Sequence, residues 1–302
     1  MAAHTKRRLI KESPGDRVFN VATNLYLWIV FVLVAYPLLY VVSASFSAPS
    51  AVISGKVWLW PVEPTLNGYE AVFKNKQLVS GFANSLFYMV AGTLINLAMT
   101  VMAAFPLSRK ELFGRNLFMA IFVFTMLFSG GLIPNFLLVR DLGMLDTRWA
   151  MLLPVALSVW NVIITRTYFQ ATIPDELYEA ASMDGCNDFR FLLRMALPLS
   201  APILAVIALY YGVGHWNSYF NALIYLKSPD LQPLQIILRN ILVLNQLDPT
   251  MMQDFEALQR KQGLVDIVKY AVIVVASVPV LLIYPFVQKY FVRGIMIGAI
   301  KG

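Results

Sequence analysis

Apolar and charged positions in this chain are sorted into long blocks. No Asp, Glu, Lys or Arg occurs between Arg17 and Lys56, Lys76 and Arg109, or Arg115 and Arg140. The same holds between Arg148 and Arg166, Arg194 and Lys227, and Lys269 and Lys289. Each gap can hold a helix of roughly 20 residues, the length that crosses about 30 Å of hydrocarbon. Six spans are therefore predicted. The gap from Arg148 to Arg166 is the shortest, so its helix is expected to run on to Arg166, which would snorkel from one end.

A polar stretch at 173–202 stands out among these blocks and is well punctuated. Pro174 suits the first position of a helix, where its missing N–H costs nothing, and Asp175 and Glu176 complement the helix dipole. Leu177, Ala180 and Ala181 fall on one face, and Gly185 supplies a left-handed stop. Asn187 or Asp188 can cap a second helix with an apolar stripe of Phe189, Leu192, Leu193 and Ala196, ended by Pro198. The pattern predicts two short helices around a glycine turn. Small residues on one face, Ala180 and Ala181, would let a partner approach closely.

Two further segments read as outer loops. Residues 47–83 carry Pro61, Pro64 and Gly68 with two Trp residues. Residues 224–269 contain an amphipathic stretch, Leu234, Ile237, Leu238, Ile241 and Leu242, expected to lie on the bilayer surface with Arg239 towards water. Residues 254–269 read as a helix leading into the last span. The domain reading is an N-terminal tail at 1–23 and one transmembrane domain at 24–302, with its core at 80–292.

Composition agrees with a membrane protein: of 302 residues, 59% are hydrophobic and only 14% charged, with mean hydropathy +0.65. A soluble domain runs nearer a quarter charged. An even number of spans puts both termini on one side, with Lys6, Arg7, Arg8, Lys11, Arg17, Arg109, Lys110, Arg115, Arg166, Arg190, Arg194, Lys289, Arg293 and Lys301. That is more than half of the 24 Lys and Arg residues, so both termini and the 179–185 loop are expected to be cytoplasmic. The formal charge of +7 then suits an anionic leaflet; no basic stripe interleaved with aromatics points to nucleic acid. The apolar stretch at 21–42 is longer than a signal-peptide core and contains Pro37, which reads against cleavage at Ser43-Ala44-Ser45. A single cysteine, Cys186, excludes an internal disulfide.

The residues now carry a family resemblance. Glu179-Ala180-Ala181, Asp184-Gly185, Phe191, Pro198-Leu199 and Pro202 resemble the EAA loop of permease subunits of bacterial ATP-binding-cassette importers. Asn84-Ser85 opening span two, Trp216-Asn217 in span five, and the tail Gly294, Gly298, Lys301 and Gly302 are similar to the carbohydrate branch, in particular the second permease of the maltose importer. The phrases at 128–134, Leu142-Gly143 and 219–226 look like the oligosaccharide subgroup, which includes importers of alginate and pectin-derived chains. The resemblance implies an all-α, six-span type I importer fold in a bacterial inner membrane. It implies a second permease, two ATPase subunits carrying ATP and Mg, and an extracytoplasmic solute-binding protein as partners, with membrane lipid around them. Glu179, Ala180, Ala181, Asp184 and Gly185 would dock on an ATPase subunit, and the tail with Gly298 and Lys301 would reach between the two ATPases.

No cofactor is expected on this chain, since no Gly-Lys-Ser/Thr phosphate loop occurs in it. For the pathway, span five offers Tyr210, Tyr211, His215, Trp216, Asn217, Ser218, Tyr219 and Asn221 without a formal charge. Aromatic faces with amide and hydroxyl partners hold sugar rings by stacking and hydrogen bonding. The same cluster could equally be helix–helix glue or an interfacial belt, the belt being strongest for Tyr219 and Tyr225. Asn96 and Asn161 carry the same two readings, and Gly130-Gly131 with Pro134 suits either a break or hinge in span three or simply close packing. His215 reads as a hydrogen-bonding neighbour and no metal site is expected. Two other classes are open to an apolar chain. An intramembrane enzyme needs a catalytic pair or metal cluster within the spans, and a secondary transporter needs midplane carboxylates; the six gaps contain neither.

Overall fold

The computed structural model describes residues 13–242, 267–285 and 288, and among these it is entirely helical. The chain divides into two compact units.

The first unit comprises residues up to Tyr69 together with Gln253–Val274. Helix α1 (Pro14–Ser45) starts from a capping box in which Ser13 and Asp16 exchange hydrogen bonds, with Pro14 in the first turn. Its apolar side chains from Val18 to Leu39 stand largely exposed, as suits a helix facing lipid or another chain. Only its end is buried, at Ser43, Ala44 and Ser45. Beyond it, α2 (Pro49–Ile53) packs Ala51 with Ala44, Ala48 and Val57. Serine hydroxyls order the segment that follows: Ser43 Oγ donates to Leu59 O at 2.5 Å, and Ser47 Oγ accepts the Val62 N–H at 3.0 Å.

The second unit, from Glu70 to Met252 and from Val275 onward, begins within α3 (Asn67–Lys74) and is built on α4 (Lys76–Ser108). Asn75 caps α4 by accepting from the N–H groups of Gln77 and Leu78. The helix buries one stripe at helical spacing, through Gly81, Ser85, Tyr88, Gly92, Asn96 and Thr100 to Ala104. Small and polar residues on that stripe let neighbouring helices come close and bond across it. Asn84-Ser85 therefore lies two turns inside this helix instead of opening it.

After α4 come α5 (Arg115–Leu127) and α6 (Leu132–Asp141), bent by 110° at the break between them. Gly131 has φ +86°, which a side chain would strain, and Ser129 Oγ accepts its N–H at 3.2 Å. Next are α7 (Trp149–Leu152), α8 (Val159–Thr172), α9 (Asp175–Met183) and α10 (Asp188–Phe191). A π turn at Leu192–Ala196 leads into α11 (Leu197–Leu199) and α12 (Ala201–Trp216). The axis turns by 84° at Ser200. Pro198 and Pro202 flank that point, and each removes a ladder donor. The described residues finish with α13 (Phe220–Tyr225), α14 (Leu234–Leu242) and α15 (Ile267–Pro285).

Three of these helices, α1, α4 and α15, are long and apolar enough to cross a membrane, or up to five spans exist if each bent pair is one. The stretch between Arg148 and Arg166 departs from expectation. Pro154 interrupts it, so α8 has only 14 residues, about 21 Å of rise against about 30 Å of hydrocarbon. Arg166 lies within α8, and its Nε donates to Leu107 O at 2.8 Å instead of snorkelling from an end.

The amphipathic helix α14 also departs. It buries Leu234, Ile236, Ile237, Leu238 and Ile241 against protein, where a bilayer surface was expected. The reason lies on α4. Gly81 leaves a slot for Ile237, Ser85 Oγ accepts the Leu234 N–H at 2.9 Å, and Tyr88 donates to Leu231 O at 2.8 Å. Asn84 Nδ2 donates to Asp230 O at 2.6 Å. Three side chains and a glycine of one helix thus seat the whole 230–237 segment.

Candidate functional site

Two groups of residues in the second unit are candidates: an open cavity at the end of α12, and the hairpin made by α9 and α10.

The cavity, of about 590 Å³, is bounded by α4, α12, the 154–158 turn and the 217–221 segment. Gly92 on α4 lets the His215 ring lie directly against the helix backbone. His215 Nε2 is 2.9 Å from Asn96 Oδ1, while Asn96 Nδ2 donates to Val155 O. With that amide nitrogen already donating, Asn96 Oδ1 is the acceptor and His215 carries its proton on Nε2. One turn away, Tyr211 Oη pairs with Thr100 Oγ1 at 2.7 Å and accepts the Ser158 N–H at 3.1 Å. Ser158 precedes α8, so this bond satisfies a donor at a helix start. Two cross-helix bridges therefore fix one wall of the cavity.

Tyr211, His215, Asn217, Tyr219 and Asn221 all line this space, with Tyr210, Asn96 and the 154–158 turn. Helix α12 ends at Trp216, so Asn217, Tyr219 and Asn221 come from the following turn and α13, not from one continuous span. Trp216 does not line it. It is 1% exposed, its Nε1 donates to Ala276 O at 3.1 Å, and its ring meets Phe82 edge-on. Tyr225 is likewise buried, stacked on Phe136, and is no part of a belt. The turn at 154–158 was not anticipated; Pro154 inside an apolar gap was its signal. Asn161 is buried on α8, where its carbonyl accepts from Thr165.

In the hairpin, Pro174 is the cap and α9 begins at Asp175. Gly185 has φ +75° and Asn187 caps α10 by accepting the Arg190 N–H. Glu179, Ala180, Asp184 and Gly185 are exposed, whereas Ala181 is 5% exposed and packs with Phe105, Phe169 and Phe191. Ala181 is thus a core residue and leaves Ala180 as the small exposed one. The expected stripe is also corrected. Phe189 and Leu193 point outward, and Phe191, Leu192 and Ala196 are buried, because the π turn widens the repeat beyond 3.6 residues. Gly298 and Lys301 lie outside the described residues.

Sequence reasoning took Arg109 only as a basic residue at a span end. Its guanidinium lies over three rings, 5.0 Å from Phe105, 4.7 Å from Tyr178 and 5.0 Å from Phe191. The Phe105–Arg109 spacing of one helical turn was the legible part of that cage. Beside it, Lys110 Nζ meets Asp175 Oδ2 at 2.7 Å. This hydrogen bond holds the lysine above, and the carboxyl below, its ordinary range. Tyr178 donates to Asp188, which raises the phenol and ties α9 to α10. Among the described residues no group of three or more His, Cys, Asp or Glu could hold a metal ion.

The family model for the binding-protein-dependent transport system inner membrane component matches residues 11–297. The chain belongs to that family. Among relatives of this inner membrane component is Protein LplC of Bacillus subtilis (strain 168), 40% identical over 95% of this chain and 96% of that protein. A second from the same organism, the polygalacturonan/rhamnogalacturonan transport system permease protein YtcP, is 39% identical over 95% of this chain and 99% of its own length. Among solved structures, a chain of a bacterial ABC transporter involved in the import of the acidic polysaccharide alginate superposes with TM-score 0.88 and 36% identity. That match covers 93% of this chain and 99% of the other.

Proposed function

We propose that this chain is one of two permease subunits of an ATP-driven, binding-protein-dependent importer of oligosaccharides, and that its cargo is acidic. The observation that carries the reading is the cavity beside α12. Its lining offers amides, hydroxyls, an imidazole and aromatic faces, the groups that hold sugar rings, and no carboxylate that would repel a uronate. Family membership supports the transport role, and the alginate importer and YtcP support a charged polysaccharide fragment as cargo.

In this reading the chain lies in the bacterial inner membrane with six spans and cytoplasmic termini, the short α8 completing its crossing with the 149–158 segment. The α9–α10 hairpin docks on one of two ATPase subunits, which hold ATP and Mg, through Glu179, Ala180, Asp184 and Gly185. A solute-binding protein delivers cargo on the opposite side, and a second permease closes the pathway.

The test is uptake by the complete importer in proteoliposomes, with a saturated binding protein carrying either an alginate-type oligomer or a neutral one of equal length. Faster uptake of the acidic oligomer is expected. Equal rates would remove the acidic assignment, and uptake without ATP would remove the importer class.

A further inference from the structure

We infer that Arg109 and Lys110 form the joint through which the α9–α10 hairpin grips the end of α4, so that hairpin and helix move as one body. The inference rests on the reading that this hairpin docks on an ATPase. Movement there must reach the cavity; besides α8, which leads back to the 154–158 turn across the Ile173-Pro174 link, two routes lead to it.

The covalent route from α10 to α12 passes a π turn and then an 84° bend at Ser200. Such irregular backbone bends at the break and transmits displacement poorly. The second route is through side chains onto α4, which runs unbroken past Asn96 to Ser108.

The joint has the chemistry of a grip. Arg109 is 8% exposed, and its Nε and Nη2 make no hydrogen bond. The three ring faces lie against its charge, and the Asp175 carboxylate is near enough to interact with it. Drawing α9 and α10 away would strip Tyr178 and Phe191 from a cation that has little water around it, and a buried cation without partners is costly. Lys110 adds a second tie at the rim through Asp175.

The socket itself is stiff. Leu107 O accepts from Arg166 Nε at 2.8 Å, and Ser108 O accepts from Gln170 Nε2 at 3.4 Å. These carbonyls end α4 and would otherwise lack intrahelical partners. Helix α8 thus clamps the end of α4 while the hairpin holds the arginine beyond it.

A covalent bridge tests the joint directly. Lys110→Cys with Asp175→Cys, in a Cys186→Ser background, places a thiol pair where the ion pair stood. Both side chains are at least partly exposed, 75% and 38%, so the substitutions should be tolerated. A short bifunctional thiosulfonate is applied to the assembled importer. If hairpin and α4 move as one, uptake and substrate-stimulated ATP hydrolysis stay within about twofold of the unbridged protein. A loss of about tenfold that a reductant reverses would show that the two must separate, and would overturn the inference.

The cation is tested separately. Arg109→Met fills the cage without charge and should raise the ATP consumed per sugar carried by about tenfold, while the ATPases still co-purify; Arg109→Lys should fall between. Wild-type coupling in Arg109→Met would overturn the role of the cation. Failure of the docking reading is seen apart from either result, since Glu179→Lys would then leave ATPase co-purification unchanged.

Discussion

Gly92→Ala should injure this protein more than an added methyl on an open helix face. A Cβ at position 92 would stand 2.3 Å from His215 Nε2, 2.4 Å from Cε1 and 2.6 Å from Cδ2. Ordinary contact needs about 3.5 Å, so the ring must withdraw by more than about 1 Å. It cannot do so freely, because Nε2 is bonded to Asn96 Oδ1 at 2.9 Å and Asn96 is itself 1% exposed. Overpacking of this kind costs about 1–3 kcal/mol, and a buried acceptor left without its donor about 1–3 kcal/mol more. The two overlap, so a total of about 2–4 kcal/mol is expected. The assay is thermal unfolding of the assembled importer in detergent, alongside uptake in proteoliposomes. In a His215→Ala background, the cost of Gly92→Ala should drop below about 1 kcal/mol, since the clash is gone. A wild-type unfolding temperature and uptake for Gly92→Ala, or an equal loss in both backgrounds, would refute the geometry.

Further outcomes follow from the loops. Asp146 accepts the N–H groups of Lys227 and Ser228, each at 2.8 Å, and the Ser228 hydroxyl at 2.6 Å, and these bonds hold its carboxyl below the ordinary range. A lowered carboxyl contributes stability that is complete above its unfolded value, about pH 4, and is lost as pH falls through the folded one. Asp146→Asn should therefore lower the unfolding temperature by a constant amount between about pH 5 and 8, with the gap to wild type closing only in stronger acid; a gap that closes near neutrality would refute the assignment. In the hairpin, Glu179→Lys or Gly185→Pro should leave the chain inserted but abolish ATPase pull-down and uptake, the latter because proline cannot adopt φ +75°. Unchanged uptake at normal expression would sink the docking role.

The sequence made the long helices legible because charge is excluded from lipid, and five of the six charge-free gaps contain a qualifying helix or bent pair. It did not show whether an apolar stripe would meet lipid or protein. Hydropathy registers only that Leu234, Ile237 and Ile241 avoid water; Gly81, Ser85 and Asn84, far away in the chain, decide that they meet α4. The same blindness placed Trp216 in the pathway, since an indole beside amides reads alike whether its N–H finds a sugar or Ala276 O. Local signals fared better: the caps at Asn187 and Gly185 act within a few residues, and no distant partner can overrule a positive φ. Arg109 lay between these cases. Phe105 one turn earlier was visible, but Tyr178 and Phe191 come from a hairpin that only folding brings near.

The placement of polar groups on α4 gives the proposed mechanism its economy of parts. Asn96 and Thr100 hold one wall of the cavity through His215 and Tyr211, and Arg109 is gripped by the hairpin thirteen residues further on, about 20 Å of helical rise. No glycine or π turn interrupts α4 between them; Pro106, in its last turn, removes one ladder donor without ending the helix. On the inference drawn above, a displacement delivered at Arg109 would reach Asn96 along one helix, and the two bridges to α12 would pass it on to His215 and Tyr211. On the α12 side, the bend at Ser200 would absorb the resulting mismatch. In the proposed mechanism the break in one helix is useful because the other is continuous: the cavity wall would shift while the hairpin stays on the proposed ATPase.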